Sequence, residues 1–240
     1  MQWLFGRRRN TLPDSGILHG MTDWHSHILP GVDDGVQTKD EALSILELYE
    51  SLGIHEVWLT PHIMEEIPNE TSILRTRFTE LLSSYTGNIV LHLASENMLD
   101  CLFMERLSVN DLLPLGCNGD HLLVETSYYS PPSNLWKLVE DILSSGYCPV
   151  LAHPERYAYM NDEDYKRLKD MGILFQLNFV SLTGLYGSSV RKRAERLLKI
   201  SCYDVMGSDI HSFFTHSQQL KVRLHENVVK LMNFSKLNEL

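Results

Sequence analysis

Seven short, mostly apolar runs alternate with longer amphipathic segments between residues 21 and 207. Runs of four to six such residues, separated by turn-forming residues, are typical of buried strands. Strands are therefore predicted at residues 21–24, 56–60, 89–94, 121–125, 148–152, 173–178 and 204–207.

The segments between these runs have the spacing of amphipathic helices. Thr38 and Glu41 form the pattern of a capping box, in which the hydroxyl and the carboxylate satisfy free backbone amides at a helix start. The helix that follows is predicted over residues 42–52, with Gly53 at its end. Further helices are predicted at residues 71–84, 133–145, 162–171, 188–199 and 217–232.

Strands that alternate with helices imply parallel β-α units, and therefore an α/β fold. Seven such units follow one another without a linker or a change in composition. We therefore expect one closed or nearly closed barrel over residues 21–240, as a single domain, rather than two domains. The length of 240 residues agrees, because α/β barrels of roughly 200–250 residues occur as single domains.

Residues 1–20 do not fit this pattern. They open on a short apolar stretch, which is followed by three arginines at 7–9 and then by Pro13 and Gly16. A secretory signal has the opposite order, with positive charge before a longer apolar stretch, so we predict a loosely ordered leader. A solvated arm is the simpler interpretation, and transient contact with an anionic inner-membrane surface is the alternative.

Composition excludes several classes of function. The 31 acidic and 21 basic side chains give a net charge of −10, whereas nucleic-acid-binding proteins usually carry a basic face. No apolar run approaches the roughly 18 residues of a membrane span. The four cysteines lie far apart, so neither a zinc knuckle nor a disulfide framework is predicted. We expect reduced thiols and a cytoplasmic location.

Ionisable side chains end or follow six of the seven predicted strands. In a β/α barrel the active site is built at these C-terminal strand ends. The polar residues at the strand ends are His25, His27, Asp33, Asp34, His62, Glu96, Glu125, His153, Asn178, Asp209 and His211. Imidazole with carboxylate suits zinc, manganese or ferrous iron, and the set exceeds the roughly four to six positions around one ion. The pattern predicts two or three metal ions that share bridging carboxylates.

Taken singly, such residues also have a structural interpretation. A lone histidine is usually a surface or hydrogen-bonded residue, and so we interpret His19, His55, His92, His121, His216 and His225. Glu125 alone would cap a helix as readily as bind an ion, and Asp33 is more simply structural. The pairs His25/His27 and Asp209/His211 differ, because both repeat a spacing of two at opposite ends of one predicted barrel.

Four stretches carry most of these residues: 23–35 (DWHSHILPGVDDG), 60–62 (TPH), 152–157 (AHPERY) and 207–211 (GSDIH). With them the chain resembles the PHP (polymerase and histidinol phosphatase) superfamily from about residue 21 to 215. It is most similar to the branch of bacterial tyrosine-protein phosphatases from capsular and exopolysaccharide operons. The resemblance implies a distorted (β/α)7 TIM-like barrel, with up to three metal ions, usually manganese, at the C-terminal strand ends; zinc or iron would also suit the ligands.

Matched residue by residue, the resemblance implies three metal sites. They consist of His25, His27, Glu96 and Asp209; of Glu96, Glu125 and His153; and of Asp34, His62 and His211. Arg156 matches the family's phosphate-binding arginine. We assign catalytic roles to Arg156, Asp209 and His211, while protonation of the leaving group by a histidine or aspartate of the metal shell, or by no group at all, stays open.

The implied function is a metal-dependent protein-tyrosine phosphatase. Its partner would be the phosphotyrosine tail of a polysaccharide-export tyrosine kinase, so that the enzyme regulates capsule or exopolysaccharide synthesis. One alternative is a small-metabolite phosphatase of the same fold, similar to histidinol phosphatase, and another is a non-catalytic metal-binding regulator. The oligomeric state is left open by the sequence. A Tyr-Tyr-Ser-Pro-Pro loop at 128–132 is expected to line an open barrel mouth that accepts a flexible tail.

A cysteine-dependent phosphatase mechanism is excluded. That mechanism needs a Cys-x5-Arg loop, in which a thiolate lies within an anion-binding turn. The positions six after the four cysteines hold Leu107, Leu123, Pro154 and Ser208, so no such loop exists.

Overall fold

The strands of this computed structural model, which describes residues 9–234, form two parallel sheets and one antiparallel ribbon. The strands are β1 Arg9–Asn10, β2 Thr22–Ser26, β3 Glu56–Leu59, β4 His62–Ile63, β5 Val90–Leu93, β6 Glu96–Met98, β7 His121–Glu125, β8 Cys148–Ala152, β9 Leu174–Asn178, β10 Val205–Gly207 and β11 Leu224–His225. The helices are α1 Leu12–Ser15, α2 Lys39–Ser51, α3 Thr71–Ser84, α4 Cys101–Val109, α5 Leu135–Ser144, α6 Asp162–Asp170, α7 Ser188–Lys199, α8 Phe213–Gln219 and α9 Glu226–Phe234. One parallel sheet has the order β10-β9-β8-β7-β6-β4, and the other has the order β2-β3-β5.

All seven predicted strands are confirmed, and two of them continue into a second sheet. After β3 the chain passes through Thr60 and Pro61 into β4, and after β5 it passes through Ala94 and Ser95 into β6. Proline favours such a break because it has no N–H to donate to a ladder. The two crossings place His62 and Glu96 opposite each other on neighbouring strands.

The two parallel sheets meet where β2 ends. Ser26 forms a parallel bridge with Ile210, just beyond β10. The N–H of His27 donates to the carbonyl of Ile210 at 3.0 Å, and the N–H of Asp209 donates to the carbonyl of His25 at 2.8 Å. The chain thus has a mixed α/β fold whose parallel strands curl into a half-barrel, with the ends of β2 and β10 side by side.

Apolar side chains pack in two clusters. The larger one joins the helices to the strands and includes Leu46, Phe103 and Leu197. The smaller one includes Trp24 and Trp58, whose ring centroids are 5.6 Å apart. None of the helices between residues 9 and 234 has the length and hydrophobicity that a membrane crossing requires.

Five predicted helices are confirmed as α2, α3, α5, α6 and α7, with ends within three residues of the expected positions. The capping box is half formed. The Thr38 hydroxyl accepts from the N–H of Glu41, but the Glu41 carboxylate accepts from the N–H of Phe213 on the distant helix α8. Helix α4 was not predicted; the Asp100 side chain caps it by accepting from the N–H of Phe103.

The prediction of one helix at 217–232 is wrong. The segment divides into the end of α8, the strand β11 and most of α9. The helix is interrupted by a tertiary contact, because Leu224 and His225 pair with Asn10 and Arg9 of the distant strand β1.

Residues 9–20 are the described part of the segment for which a loosely ordered leader is predicted, and that assignment stays a prediction. The short helix α1 has Thr11 as its N-cap and Gly16, in a left-handed conformation, as its C-cap. Leu12 and Leu18 are buried, which anchors the segment to the core. The arginine side chains at 7–9 lie outside the described part of the chain, so their contact with a membrane stays a prediction. The extension of a single domain from residue 21 to residue 240 also stays a prediction.

Candidate metal centre

The nine side chains proposed as metal ligands lie together at the C-terminal ends of the parallel strands. Their ligand atoms form three groups, within each of which all atoms lie within 4.8 Å of one another. The groups are His25, Glu96, His153 and Asp209; His62, Glu96 and Glu125; and His27, Asp34, His62 and His211. Three residues are grouped differently from what the resemblance implied. His27 lies with Asp34, His62 and His211 instead of with His25, and His153 lies with His25 instead of with Glu125. His62 belongs to two of the groups.

Glu96 is the hub of this cluster. Its Oε2 lies 3.1 Å from Nε2 of His25, 3.2 Å from Nε2 of His27 and 3.1 Å from Nδ1 of His62. Its Oε1 lies 3.0 Å from Nε2 of His153. One fully buried carboxylate therefore contacts four imidazoles, and the crossing from β5 to β6 puts it there.

Asp209 joins this cluster to Arg156. Its Oδ1 lies 3.5 Å from Nε2 of His25 and 3.4 Å from Nε2 of His27. Its Oδ2 accepts from Nη1 of Arg156 at 2.7 Å and from Nδ2 of Asn178 at 2.9 Å. Each carboxylate oxygen thus faces a different set of partners, with the histidines on one side and the arginine on the other.

Two of these residues have left-handed backbones. The φ angle is +34° at His153 and +52° at Asp209. A non-glycine residue in a strained conformation costs about 1–3 kcal/mol, and such strain concentrates at functional sites. The surrounding strands and the 3₁₀ turn at Pro154–Arg156 hold the two side chains toward the cluster despite this cost.

Side chains behind the histidines decide which ring nitrogen faces the cluster. Nδ1 of His25 lies 3.1 Å from the amide oxygen of Gln176, which also accepts from the N–H of His153 at 3.0 Å. Nδ1 of His27 lies 2.8 Å from Oδ2 of Asp33. Because an oxygen acceptor requires the proton on Nδ1, the neutral form of each ring has its lone pair on Nε2, which faces the cluster.

The free lone pairs fit a cation. Nε2 of His25 and Nε2 of His27 are only 3.1 Å apart, so two lone pairs there would repel each other unless a proton or a metal ion is bound. The buried atoms His62 Nδ1, Glu96 Oε2 and Glu125 Oε1 are in contact, with Nδ1 3.1 Å from each oxygen, but their orientations form no hydrogen bond within the described residues. Each unpaired buried polar atom costs about 1–3 kcal/mol, which coordination would remove. Imidazole and carboxylate together suit manganese, zinc or ferrous iron.

The buried charges shift one another's pKa values. Burial would lower the pKa of His25, but the carboxylates of Glu96 and Asp209 raise it to about 9. Burial would raise the pKa of Glu96, but His25 and His62 hold it well below its usual value. Protons therefore compete with metal ions for these atoms, and metal affinity should fall as the pH falls.

A cleft of about 380 Å³ opens beside the cluster. Its lining includes Asp34, His62, Asp209 and His211, together with Tyr128, Arg156, Val180, Leu185 and Tyr186. Of the loop at 128–132, Tyr128 lines this cleft as expected. The Tyr129 side chain is 85% exposed, and Pro131 and Pro132 line a separate pocket, so the rest of the loop does not.

Sequence reasoning missed several residues around the cluster. Gln176 could have been identified from the sequence, because it is the one polar residue inside the otherwise apolar run 173–177. Asp33, interpreted from the sequence as more simply structural, lies with Oδ2 2.8 Å from Nδ1 of His27 and so orients a histidine of the cluster. Tyr186 carried no signal, because it lies in a loop between a 3₁₀ turn and α7.

Residues 21–233 match the family model for capsular polysaccharide synthesis, CpsB/CapC. The tyrosine-protein phosphatase CpsB of Streptococcus pneumoniae is 27% identical over 233 residues, which cover 92% of this chain and 94% of that protein. The tyrosine-protein phosphatase YwqE of Bacillus subtilis is 27% identical over 214 residues, which cover 83% and 82% respectively.

The fold agrees with a solved structure from the work on YwqE of Bacillus subtilis and CpsB of Streptococcus pneumoniae, described there as metal-dependent tyrosine phosphatases. The TM-score is 0.78 at 24% identity, over 92% of this chain and 96% of the other. The resemblance inferred from the motifs is thus confirmed. By its family-model match over nearly its whole length, the chain belongs to the CpsB/CapC family of capsular polysaccharide synthesis.

Proposed function

We propose that this protein is a metal-dependent protein-tyrosine phosphatase. The observation that carries the proposal is the cluster of imidazoles and carboxylates around Glu96, which opens into a cleft beside Arg156. Curated relatives that align with more than four-fifths of this chain are named tyrosine-protein phosphatases, which supports the same conclusion.

Three ions would be held by the residues that the resemblance matched. His25, His27, Glu96 and Asp209 would hold one, Glu96, Glu125 and His153 a second, and Asp34, His62 and His211 a third. The three groups of neighbouring ligand atoms in the structure contain the same nine residues, which supports a centre of this size. When bound, such ions neutralise phosphate charge and lower the pKa of water to about 7, which supplies a nucleophile. We propose manganese as the native metal, with zinc or iron as alternatives that the same ligands accept.

Arg156 would bind the phosphoryl group. A guanidinium presents a planar fork that pairs with two phosphate oxygens, which a lysine cannot reproduce. Oδ2 of Asp209 holds Nη1 of this fork beside the cluster.

The leaving group would depart without a strong acid. Nδ1 of His211 lies 2.9 Å from the carbonyl of Asp209, and its Nε2 faces Oδ1 of Asp34 at 3.5 Å. The two carboxyl groups in the cleft wall, Asp34 and Asp209, have pKa values held below their usual range by nearby histidines, so neither carries a proton near pH 7. A phenolate, whose conjugate acid has a pKa of about 10, can leave without that proton, whereas a serine alkoxide cannot. The site therefore favours phosphotyrosine.

The substrate would be the phosphotyrosine tail of a polysaccharide-export kinase, met in the cytoplasm or transiently at the inner membrane surface. Residues 21–233 match a capsular polysaccharide synthesis family, which supports this partner. The free thiols of Cys101, Cys117, Cys148 and Cys202 support a reducing compartment.

We also propose that the half-barrel is a distorted (β/α)7 barrel. The pairs β3–β4 and β5–β6 would each count as one interrupted strand, so that seven strands follow one another around the barrel. The bridge between Ser26, at the end of β2, and Ile210, just beyond β10, joins the first of these seven strands to the seventh and supports this interpretation.

Chelation is expected to remove most of the activity. Phosphate release from a phosphotyrosine peptide should fall by about 100-fold or more after EDTA treatment and should return on adding manganese. Iodoacetamide should have no effect, because no cysteine lines the cleft. Loss of activity with iodoacetamide together with full activity in EDTA would contradict the proposal.

Phosphotyrosine peptides are expected to exceed phosphoserine peptides and histidinol phosphate in kcat/KM by at least about tenfold, or roughly 1.4 kcal/mol. The reason is the better phenolate leaving group in a site without a strong proton donor. The three substrates should be compared at equal manganese concentration. A preference for histidinol phosphate would favour the alternative function, a small-metabolite phosphatase. Equal rates would show that the cleft does not discriminate among the three substrates.

A further inference from the structure

Arg156 lies between two tyrosine rings in the wall of the cleft. Its guanidinium carbon is 4.2 Å from the ring centroid of Tyr128 and 4.3 Å from that of Tyr186. The arginine side chain is only 17% exposed. Cation–π contacts are stronger where water is excluded than at exposed sites, so both contacts are significant here.

The polar edge of the guanidinium is largely unused. Nη1 donates to Oδ2 of Asp209, and the other N–H groups of the guanidinium make no hydrogen bond to the described residues. Two ring faces and one carboxylate therefore fix the plane of the guanidinium, while its remaining donors stay available to an anion in the cleft.

Tyr186 is hydrogen-bonded to Asn178, which also contacts Asp209, the partner of Arg156. Its hydroxyl accepts from Nδ2 of Asn178 at 3.4 Å, and that amide also donates to Asp209. Burial raises the pKa of Tyr186 to about 12, so the phenol is neutral near pH 7 and acts on Arg156 through its ring face. The ring approaches Arg156 from the loop that precedes α7, on a part of the chain remote from Tyr128.

We propose that Tyr186, together with Tyr128, is a positioning residue that holds the guanidinium of Arg156 ready for a phosphate group. An arginine side chain has many rotamers, and ordering it before binding removes the entropic cost of ordering it from the binding step. The proposal rests on the proposed function in so far as the bound group is a phosphomonoester.

A different role for the two rings would be to stack on the substrate's own phenyl group. The faces that contact Arg156 are not available for that, but other parts of the rings are. Inorganic phosphate separates the two roles because it has no ring. Weaker binding of phosphate to a Tyr186 variant reports only on Arg156.

The test measures binding of inorganic phosphate to the manganese-loaded protein by calorimetry. We expect Tyr186→Leu to bind phosphate about five- to tenfold more weakly and Tyr186→Phe, which keeps the ring, to stay within about twofold of the wild type. For a phosphotyrosine peptide, KM should rise by the same factor while kcat stays within about twofold, because the ring acts on ground state and transition state alike.

Trp136→Leu is the matched control. It removes a cation–π contact of Arg167, 3.8 Å from the Trp136 centroid, at a place that does not line the cleft. Phosphate affinity should not change. Melting temperatures of all variants show whether each is folded; if Tyr186→Leu does not fold, the pair Tyr128→Leu and Tyr128→Phe makes the same comparison.

Two results would overturn the proposal. One is unchanged phosphate affinity in the folded leucine variant, and the other is an equal loss in the phenylalanine and leucine variants. Failure of the proposed function looks different, because the wild type would then bind phosphate without hydrolysing phosphotyrosine peptides.

Discussion

Replacement of Glu96 by glutamine is expected to lower kcat/KM for a phosphotyrosine peptide by about 100-fold or more at saturating manganese. Loss of a group one shell further from a metal already costs about 10–100-fold, and Glu96 contacts four of the five clustered imidazoles directly. The side-chain amide of the glutamine would also place an NH2 group where an oxygen lone pair is needed to bind a metal ion. Kinetics at several manganese concentrations, with metal content by mass spectrometry, measure the effect.

The same variant has a readout that does not depend on activity. An ion that binds only the folded protein stabilises it by about 2.7 kcal/mol at one hundred times its dissociation constant. Manganese should therefore raise the melting temperature of the wild type and raise that of Glu96→Gln by less, because only the site of Asp34, His62 and His211 does not use Glu96. Glu105→Gln, the same chemical change at an exposed position of α4, serves as the control and should behave like the wild type. Normal turnover of Glu96→Gln at saturating manganese would remove Glu96 from the site.

Replacement of Gly207 by alanine is expected to destabilise the protein by about 3 kcal/mol. A Cβ at this position would lie 2.5 Å from Cβ of His25, 2.8 Å from Nε2 of Gln176 and 2.9 Å from the backbone nitrogen of His25. Two of these atoms belong to the fixed part of strand β2, so a side-chain rotation cannot relieve the overlap. β2 and β10 must move apart, which displaces His25 from the cluster.

Urea unfolding of the metal-free protein measures this cost. Gly146→Ala is the matched control, because Gly146 has a φ of +87° but no atom within 4 Å of the added methyl group. It should lose only about 1–2 kcal/mol, from backbone strain. A smaller loss for Gly207→Ala than for Gly146→Ala would contradict the close approach of the two strands.

Much of the site could be predicted from the sequence, because parallel strands bring their C-terminal ends to one edge of a sheet. Once the alternation of strands and helices is recognised, side chains that follow different strands must lie near one another. His25, His62, His153 and Asp209 come together for this reason, although up to 184 residues separate them in the chain. The spacing of apolar positions also located all seven strands and five helices, since burial of one face is a local property.

Tertiary structure alone decided the rest, because contacts between distant segments leave no periodic trace in the chain. Glu96 became the hub only because the chain changes sheets after Ser95, and no local pattern distinguishes that crossing from a continuous strand. The expected helix at 217–232 broke because β1 offered a partner to Leu224. The stacking of Tyr186 on Arg156 likewise depends on how two loops meet above the strands. Local sequence sets which faces of the strands and helices are buried. The packing of the strands sets which ionisable side chains come close enough to interact with one another or to bind the same ion.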